Sequence, residues 1–235
     1  MEHPLSRVGL TFFLLSGAAA CAGRSPLLEP APRDLAWVAP DSFRVVFETS
    51  RGPFVVMGHR AWSPLGADRF HFLVTHGYYD GARFFRVVPG FVVQWGLAAD
   101  PKLSAVWANR DLPDEPVRQS NTRGRLSYAR GGPNTRSVQV YVNLGDNARL
   151  DTLNTFGFPP FGEVTSGLSL VDSMYAEYSC RRGSQGTCPS QDSIQAKGEG
   201  YLARIHPLLD RIIRARVESE WRGSAKRERG SGGRD

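Results

Sequence analysis

The chain has 235 residues, of which 41% are hydrophobic and 22% charged, and its formal net charge is +6 at pH 7. This length supports one hydrophobic core of good size, or one domain with an appendage. No internal apolar run reaches the roughly 18 residues that predict a membrane-spanning helix. Much of the positive charge lies near the end, where residues 223–235 have the composition of a disordered basic tail. We therefore expect no nucleic-acid partner.

The first 21 residues have the pattern of a secretory signal peptide. Arg7 precedes a short apolar run, and three alanines ending at Ala20 precede Cys21. Small residues followed by Cys resemble a bacterial lipobox, which implies lipidation of Cys21 and an outer-membrane lipoprotein on the periplasmic face of the envelope. The lipobox usually has Leu where this chain has Ala18. The alanines therefore also fit an ordinary cleavage site that leaves Cys21 as a free thiol.

The first half of the folded part alternates between strand and helix signals. Residues 22–41 are Pro-rich and polar, which predicts a tether. Alternating runs at 43–48 and 54–59 predict a hairpin. A helix is predicted from Ser63, as its N-cap, to Gly77 just past its end.

A second hairpin is predicted next in the chain. The stretch FFRVVPGFVVQWG, residues 84–96, has two runs rich in Phe and Val around a Pro-Gly turn. The polar residues 99–124 that follow predict an ordered surface loop. Within that loop Asp114 and Glu115 are expected on a solvated face.

Further strands are predicted at 125–132, 137–146 and 161–164, followed by a helix from 166 towards 175. The last apolar residues, from Leu202 to Ile213, recur at helical spacing, with Pro207 as a break or kink. Many short antiparallel strands with few helices are typical of a closed barrel with helical caps.

Two cysteines remain after Cys21, and they flank a short loop rich in Gly and Ser. In an oxidising compartment Cys180 and Cys188 are a plausible disulfide. Two unpaired surface thiols are the alternative, and a metal site is less favoured because no His lies nearby.

Conventional catalytic motifs are absent from the sequence. The five histidines show no metal-ligand spacing, and there is no nucleophile elbow, phosphate-binding loop or dinucleotide-binding motif. We therefore predict neither a metal nor a cofactor. These absences exclude the usual machinery of hydrolysis, phosphoryl transfer and redox chemistry.

Polar side chains instead occur on strand faces. Arg86 lies within the first arm of the second hairpin and, by strict alternation, shares a face with Phe84 and Val88. Gln94 lies within the other arm, and Gln139 and Tyr141 share one face of a later strand. A merely solvated face is the simplest interpretation of any one of them. Together, an Arg, two Gln and nearby aromatic residues favour a shallow groove that binds a peptide.

These segments also carry a family resemblance. FFRVVPGFVVQWG resembles the cyclophilin signature F-x-R-x-x-P-G-F-x-x-Q-x-G, and RLSYARGGPNTRSVQVYVN matches the second signature of that family. FGEV follows where cyclophilins have their F-G-x-V strand, so the resemblance spans residues 43–175 and is greatest to bacterial exported members. It implies a peptidyl-prolyl cis-trans isomerase on a closed eight-stranded antiparallel β-barrel capped by two α-helices, dominated by β-structure. The implied domain is 42–178, with a C-terminal helical extension at 179–222.

The resemblance also implies roles for individual residues. Arg86 is the donor to the prolyl nitrogen, and Gln94 orients Arg86 and the substrate backbone, with Phe91 beside them as the third residue of the centre. The substrate-binding residues implied by the motifs are Val92, Ala129, Arg130, Gln139, Tyr141, Leu150 and Phe158. For Phe91 and Leu150, plain core packing is the alternative.

Several positions depart from the family pattern. Val92 replaces a common Met, Tyr141 replaces Phe, Arg149 replaces a Trp or other large apolar residue, and Phe158 lies where many members have the groove His. These changes put sensitivity to cyclic-peptide drugs in doubt and predict an altered substrate preference. We expect a monomeric isomerase of proline-containing polypeptides that assists the folding of envelope proteins. The alternative is a non-catalytic cyclophilin-like module that binds proline segments as a chaperone or scaffold.

Overall fold

An eight-stranded antiparallel sheet forms the body of the structure, a computed structural model in which residues 24–178 and 187–223 are described. The strands are β1 (Ser42–Thr49), β2 (Gly52–His59), β3 (Arg86–Val88), β4 (Val92–Trp95), β5 (Arg125–Tyr128), β6 (Val140–Asn143), β7 (Pro160–Ser166) and β8 (Ile212–Trp221). The helices are α1 (Pro32–Leu35), α2 (Pro64–Thr75), α3 (Pro101–Trp107), α4 (Leu168–Asp172), α5 (Gln191–Lys197) and α6 (Glu199–Ile205), with a 3-10 helix at Ala148–Asp151. The predicted signal peptide with Cys21, and the tail after Gly223, lie outside the described residues.

The sheet is curled but its strand ladder is open, with the order β3-β4-β6-β5-β7-β2-β1-β8. No strand ladder joins the two ends of the sheet in the described chain. The segment before β3 meets the start of β8 through an isolated bridge at Arg83 and Arg211 and three backbone hydrogen bonds, from Gly81 to Ile212 (2.9 Å), from Ile212 to Ala82 (2.8 Å) and from Phe84 to Asp210 (3.0 Å). The closed barrel predicted from the sequence is therefore wrong, and the sheet is a half-barrel. The half-barrel stays open because β3, with three residues, is too short to form a ladder with β8. β8 has ten residues and pairs instead with β1.

The second hairpin divides its side chains between two environments. Val87, Val93 and Trp95 are buried in the core, where the Trp95 ring packs edge-on against Phe84 at 5.4 Å between centroids. The alternate residues of the same strands turn to the other face of the sheet, and Gln94 is among them. Phe84 precedes β3 and packs in the core, so it does not share a face with Arg86, contrary to the strict alternation read from the sequence.

Helix α2 covers the core, as predicted, and a buried carboxylate holds its first turn. The Glu115 carboxylate accepts the amides of Leu65 (2.8 Å) and Gly66 (3.2 Å) and a hydrogen bond from the Ser63 hydroxyl. It also pairs with Arg136 at 3.0 Å, whose side chain is fully buried. The expectation of a solvated Glu115 is wrong, since its charge completes a helix N-terminus.

The predicted tether is docked on the domain over its described residues. Leu27 is buried, and its carbonyl accepts the Trp107 indole N–H at 2.7 Å. The Trp37 indole donates to Nδ1 of His71 at 2.9 Å, and the two rings stack. Trp107 belongs to α3, which lies in the segment predicted as loop, and its ring is fully buried. The predictions of a free tether and of a surface loop are both wrong. In each segment one Trp, surrounded by polar residues in the sequence, packs its indole ring against the domain and buries apolar area.

The segment predicted as a C-terminal helix ends instead as a strand. Helix α6 stops at Ile205 before Pro207, and β8 then pairs with β1. Cross-strand ion pairs join Arg216 to Glu48 and Arg44 to Glu218. The free edge of β1 thus decides the conformation of a segment whose apolar spacing alone favours helix.

Only one of the two cysteines of the predicted disulfide lies within the described residues. Cys188 is disulfide-bonded, whereas Cys180 lies outside the described residues, so the pairing of these two stays a prediction. Over the described ranges, none of the helices has the length and apolar character needed to cross a membrane.

Candidate functional site

Strand register brings the polar residues of four strands into one row. Arg86 on β3 pairs with Gln94 on β4, Gln94 pairs with Tyr141 on β6, and Tyr141 pairs with Ser127 on β5. Directly paired residues point to the same face of an antiparallel sheet. Residues far apart in the sequence therefore form one continuous band on the surface opposite the core.

Hydrogen bonds between side chains fix the position of the arginine. Nη1 of Arg86 donates to Oε1 of Gln94 at 3.1 Å, and Nε2 of Gln94 donates to Oε1 of Gln139 at 2.8 Å. Nε2 of Gln139 in turn donates to Oε1 of Gln191, at the start of α5, at 3.0 Å. No hydrogen bond of Nη2 of Arg86 occurs within the described residues, so this nitrogen is available to a ligand.

An apolar floor lies beside the arginine. Val92, Tyr141 and Leu150 form a buried cluster of their own, separate from the main core. Phe91, Ala129 and Phe158 are partly buried and pack against this cluster. All six are residues predicted for the proline pocket or the groove. Phe91 and Leu150 therefore pack in a small cluster beside the arginine and not in the main core.

The electrostatics of the site are those of a half-buried cation over aromatic rings. Desolvation lowers the pKa of the Arg86 guanidinium from its usual value. Arginine nevertheless stays charged at neutral pH because its charge is delocalised over the guanidinium. Its Cζ atom lies 5.5 Å from the centroid of the Phe91 ring. Burial raises the pKa of the Tyr141 hydroxyl, which therefore stays neutral.

The cleft that contains these groups has a volume of about 600 Å³. All ten predicted catalytic and substrate-binding residues line it, so the structure brings the whole set together. The volume falls in the ordinary range for ligand-binding clefts. Over the described residues no group of three His, Cys, Asp or Glu side chains is arranged to hold a metal ion.

The Arg130 side chain is held by an ion pair and by ring contacts and is not a free cation. Its side chain is 1% exposed and pairs with Asp114 at 3.2 Å. Its Cζ atom lies 5.0 Å from the Phe158 ring, so the guanidinium supports one wall of the apolar pocket. The charge of Arg130 is therefore compensated before a ligand arrives.

Asn121 supports the site through hydrogen bonds of its buried side chain, and it was not predicted from the sequence. Its side chain is fully buried, and Nδ2 donates to Oδ1 of Asp151 and to the Phe158 carbonyl, both at 2.8 Å. Oδ1 accepts from the hydroxyls of Ser127 (2.9 Å) and Tyr141 (3.1 Å). Asn121 lies in an irregular segment, where periodicity carries no signal.

Gln191 was also not predicted from the sequence, because it belongs to the C-terminal extension and lies outside the groove motifs.

Comparison with known proteins agrees with this geometry. The family described as cyclophilin type peptidyl-prolyl cis-trans isomerase matches residues 44–195. A peptidyl-prolyl cis-trans isomerase of Schizosaccharomyces pombe is 33% identical over 133 residues, which is 55% of this chain and 83% of that protein. Peptidyl-prolyl cis-trans isomerase A of Dickeya dadantii is 33% identical over 143 residues, 59% of this chain and 74% of that protein.

Solved structures show the same fold. The crystal structure of a Cryptosporidium parvum cyclophilin type isomerase covers 76% of this chain and 99% of its own, with a TM-score of 0.53 at 20% identity. The same protein solved in the presence of the dipeptide Ala-Pro gives a TM-score of 0.54 at 19% identity over 75% of this chain and 99% of its own. Taken together with the family match over 44–195, these similarities establish that the chain belongs to the cyclophilin-type peptidyl-prolyl cis-trans isomerases.

Proposed function

We propose that this cyclophilin isomerises X-Pro bonds of polypeptides in the cell envelope, with Arg86 as the group that acts on the prolyl amide. The observation that carries the proposal is the placement of Arg86. Nη1 of its guanidinium is held by Gln94, Nη2 has no hydrogen bond to any described residue, and an apolar pocket built on Val92, Tyr141 and Leu150 lies beside it. A pocket of this kind fits a proline ring, and Nη2 fits its amide.

The chemistry requires no nucleophile and no general base. Rotation about a peptide bond costs about 18–20 kcal/mol because amide resonance must be broken, and unaided X-Pro isomerisation takes roughly tens to hundreds of seconds. A hydrogen bond donated to the prolyl nitrogen is favourable only when that nitrogen becomes pyramidal, as it does in the twisted transition state. Arg86 therefore stabilises the transition state more than either ground state, which lowers the barrier.

Gln94 is a positioning residue in this scheme. It accepts from Arg86 and donates to Gln139, so the guanidinium is oriented before substrate binds. Donors oriented in advance need no reorganisation during the reaction, which is the main source of their effect. The apolar cluster beside Arg86 excludes water from the rotating amide and strengthens the hydrogen bond.

The test is an isomerase assay of the 24–223 segment and its Arg86 variants on a neutral Ala-Ala-Pro-Phe peptide. We expect Arg86→Ala to lower kcat/KM by about 10²- to 10³-fold, mostly in kcat, as for loss of a transition-state donor. Arg86→Lys is the matched control, because it retains the charge but loses the fork that engages Gln94. We expect it to keep a minor part of the activity.

Two outcomes contradict the proposal. No rate above the uncatalysed one in the wild-type protein, together with retained peptide binding, would favour the non-catalytic module that binds proline segments. Full activity in Arg86→Ala would leave the isomerase assignment intact and remove Arg86 from the mechanism.

The envelope location rests on the sequence pattern at Cys21 and on the disulfide at Cys188, since disulfides persist in oxidising compartments. The docking of Leu27 shortens the distance over which a lipid anchor would hold the domain. Six residue steps separate Cys21 from Leu27, a reach of about 20 Å when extended, in place of about 70 Å for an undocked 20-residue tether. The catalytic domain would then work close to the membrane surface.

Membrane fractionation of the full chain tests this location. We expect wild type in the membrane fraction and Cys21→Ser in the soluble fraction of the envelope, with equal isomerase activity in both. Unchanged fractionation of Cys21→Ser would exclude the lipid anchor, and retention of both proteins inside the cell would exclude export.

A further inference from the structure

Two charged side chains border the cleft, one within its lining and one against a lining ring, and neither has a hydrogen bond or an ion pair among the described residues. They are Asp111 and Arg149, and both are exposed. Exposed charges usually find a partner or face open solvent. These two instead border the cleft in which the substrate chain lies.

Arg149 borders the cleft where β6 finishes. It lies in the 3-10 helix Ala148–Asp151, which follows β6, and its Cζ atom is 5.0 Å from the Phe91 ring centroid. The Phe91 ring belongs to the proline pocket, so the guanidinium of Arg149 stands at the rim of that pocket. Its contact with the ring leaves its hydrogen-bonding groups free.

Asp111 borders the cleft before β6 begins. An isolated bridge joins Leu112 to Arg136, and the Leu112 amide donates to the Arg136 carbonyl at 2.7 Å. This antiparallel pairing puts Asp111 beside Ser137, which also lines the cleft. The Asp111 carboxylate therefore stands at the cleft wall near the start of β6.

Three other charged side chains near the cleft either have polar partners or do not line it. Arg130 pairs with Asp114, and the Arg110 guanidinium lies 5.8 Å from the Trp107 ring, away from the cleft lining. The Asp151 carboxylate accepts hydrogen bonds from Asn121 and Ser120. Among the described residues, the charged side chains that line the cleft without an ion pair are thus Arg86 at its centre and Asp111, and Arg149 adds a positive group over the ring of Phe91.

The separation of these two positions matches a short peptide. Six residue steps along the chain separate Ser137 from Asn143, which corresponds to about 20 Å of extended strand. An extended segment of about six residues covers that length. The proline pocket at Val92 and Tyr141 is nearer to the Arg149 end, because Val92 pairs with Asn143 at the end of β6.

We propose that the cleft selects the chain polarity of charged substrates, an inference that rests on the proposed isomerase function. The preferred substrates carry an acidic residue on the side of the proline that meets Arg149 and a basic residue further away on the side that meets Asp111. Arg149 and Asp111 are specificity-determining residues. They act through charge and leave the chemistry to Arg86.

The test uses two blocked peptides of identical composition, Lys-Ala-Ala-Pro-Ala-Glu and Glu-Ala-Pro-Ala-Ala-Lys, with Ala-Ala-Ala-Pro-Ala-Ala as the neutral reference. Catalysed cis–trans exchange is measured by NMR at low salt, where charge effects are least screened. We expect wild type to catalyse one charged peptide about fivefold faster than the other, as two exposed ion pairs would give. The ratio should fall towards one at high salt.

Variants separate this preference from other causes. In Asp111→Asn/Arg149→Gln the two peptides should react equally, and in Asp111→Lys/Arg149→Glu the preference should reverse. Glu177→Gln/Arg204→Gln removes two exposed charges that do not line the cleft and should keep the wild-type ratio. Equal wild-type rates for both peptides, or a preference that survives the charge swap, would overturn the inference. Failure to catalyse even the neutral peptide would instead count against the isomerase function.

Discussion

Replacing Asn121 with Ala tests whether this residue supports the site from below. The substitution removes a fully buried amide from the irregular segment that precedes β5. The groups that lose a hydrogen bond to its side chain are those of Ser127, Tyr141, Asn143, Asp151 and Phe158. Two of these, Tyr141 and Phe158, also line the cleft.

The expected magnitude follows from those contacts. A hydrogen bond contributes about 1 kcal/mol net to stability, and an orphaned buried polar group costs about 1–3 kcal/mol. Asp151 keeps its bonds from the Asn121 amide and from Ser120, and Asn143 keeps its bond to the Arg125 carbonyl. The main cost therefore comes from the Tyr141 and Ser127 hydroxyls and the Phe158 carbonyl. We expect Asn121→Ala to lower the free energy of unfolding by about 3–5 kcal/mol.

A double-mutant cycle with Tyr141→Phe makes the test specific. Urea unfolding should show a loss of about 1 kcal/mol for Tyr141→Phe in the wild-type background and close to zero in Asn121→Ala, because its partner is already absent. Where Asn121→Ala remains folded, its KM for a neutral proline peptide should rise, since Phe158 and Tyr141 no longer hold their places. A cost below about 1 kcal/mol for Asn121→Ala, or equal effects of Tyr141→Phe in both backgrounds, would refute this reasoning.

Three further predictions concern the docked segment and the core. Trp37→Ala should lower the free energy of unfolding by about 2 kcal/mol in urea, because the half-buried indole stacks on His71 and donates to it. Burial lowers the pKa of His71 from 6.5, so the unfolded chain binds the proton first and stability should fall as pH drops below about 6.5; His71→Gln should reduce that dependence in unfolding curves across pH. Gly96→Ala should give little folded protein on expression, whereas Gly200→Ala should fold normally. Gly96 has φ +123° and an added Cβ would lie 2.3 Å from the Val138 carbonyl oxygen, while a Cβ at Gly200 meets nothing within 4 Å.

Local patterns in the sequence predicted the elements whose own residues specify them. The hairpin of β1 and β2, the helix α2 and the hairpin of β3 and β4 were expected from alternation, an N-terminal Pro and Gly turns. The site residues came from the signature motifs rather than from periodicity. Alternation alone put Phe84 on the face of Arg86, where the structure has it in the core.

Long-range contacts explain the failures. The segment after Pro207 has apolar spacing typical of a helix, but the free edge of β1 pairs with it as a strand. The supposed tether docks because Leu27 and Trp37 find partners on α3 and α2. Both outcomes depend on partners that lie more than 30 residues away along the chain. Single-sequence patterns do not report such pairings.

The sequence by itself determined the family and most of the strands, and it predicted Arg86, Phe91 and Gln94 as the catalytic centre, because signature motifs and short-range alternation are local properties. Only the tertiary structure decided that the half-barrel stays open, that Glu115 is a buried helix cap, and that Asn121 and Gln191 support the site. It also decided that Asp111 lines the cleft and that Arg149 lies over the ring of Phe91, another lining residue. The physical reason is that burial and charge compensation depend on which distant residues the curled sheet brings together.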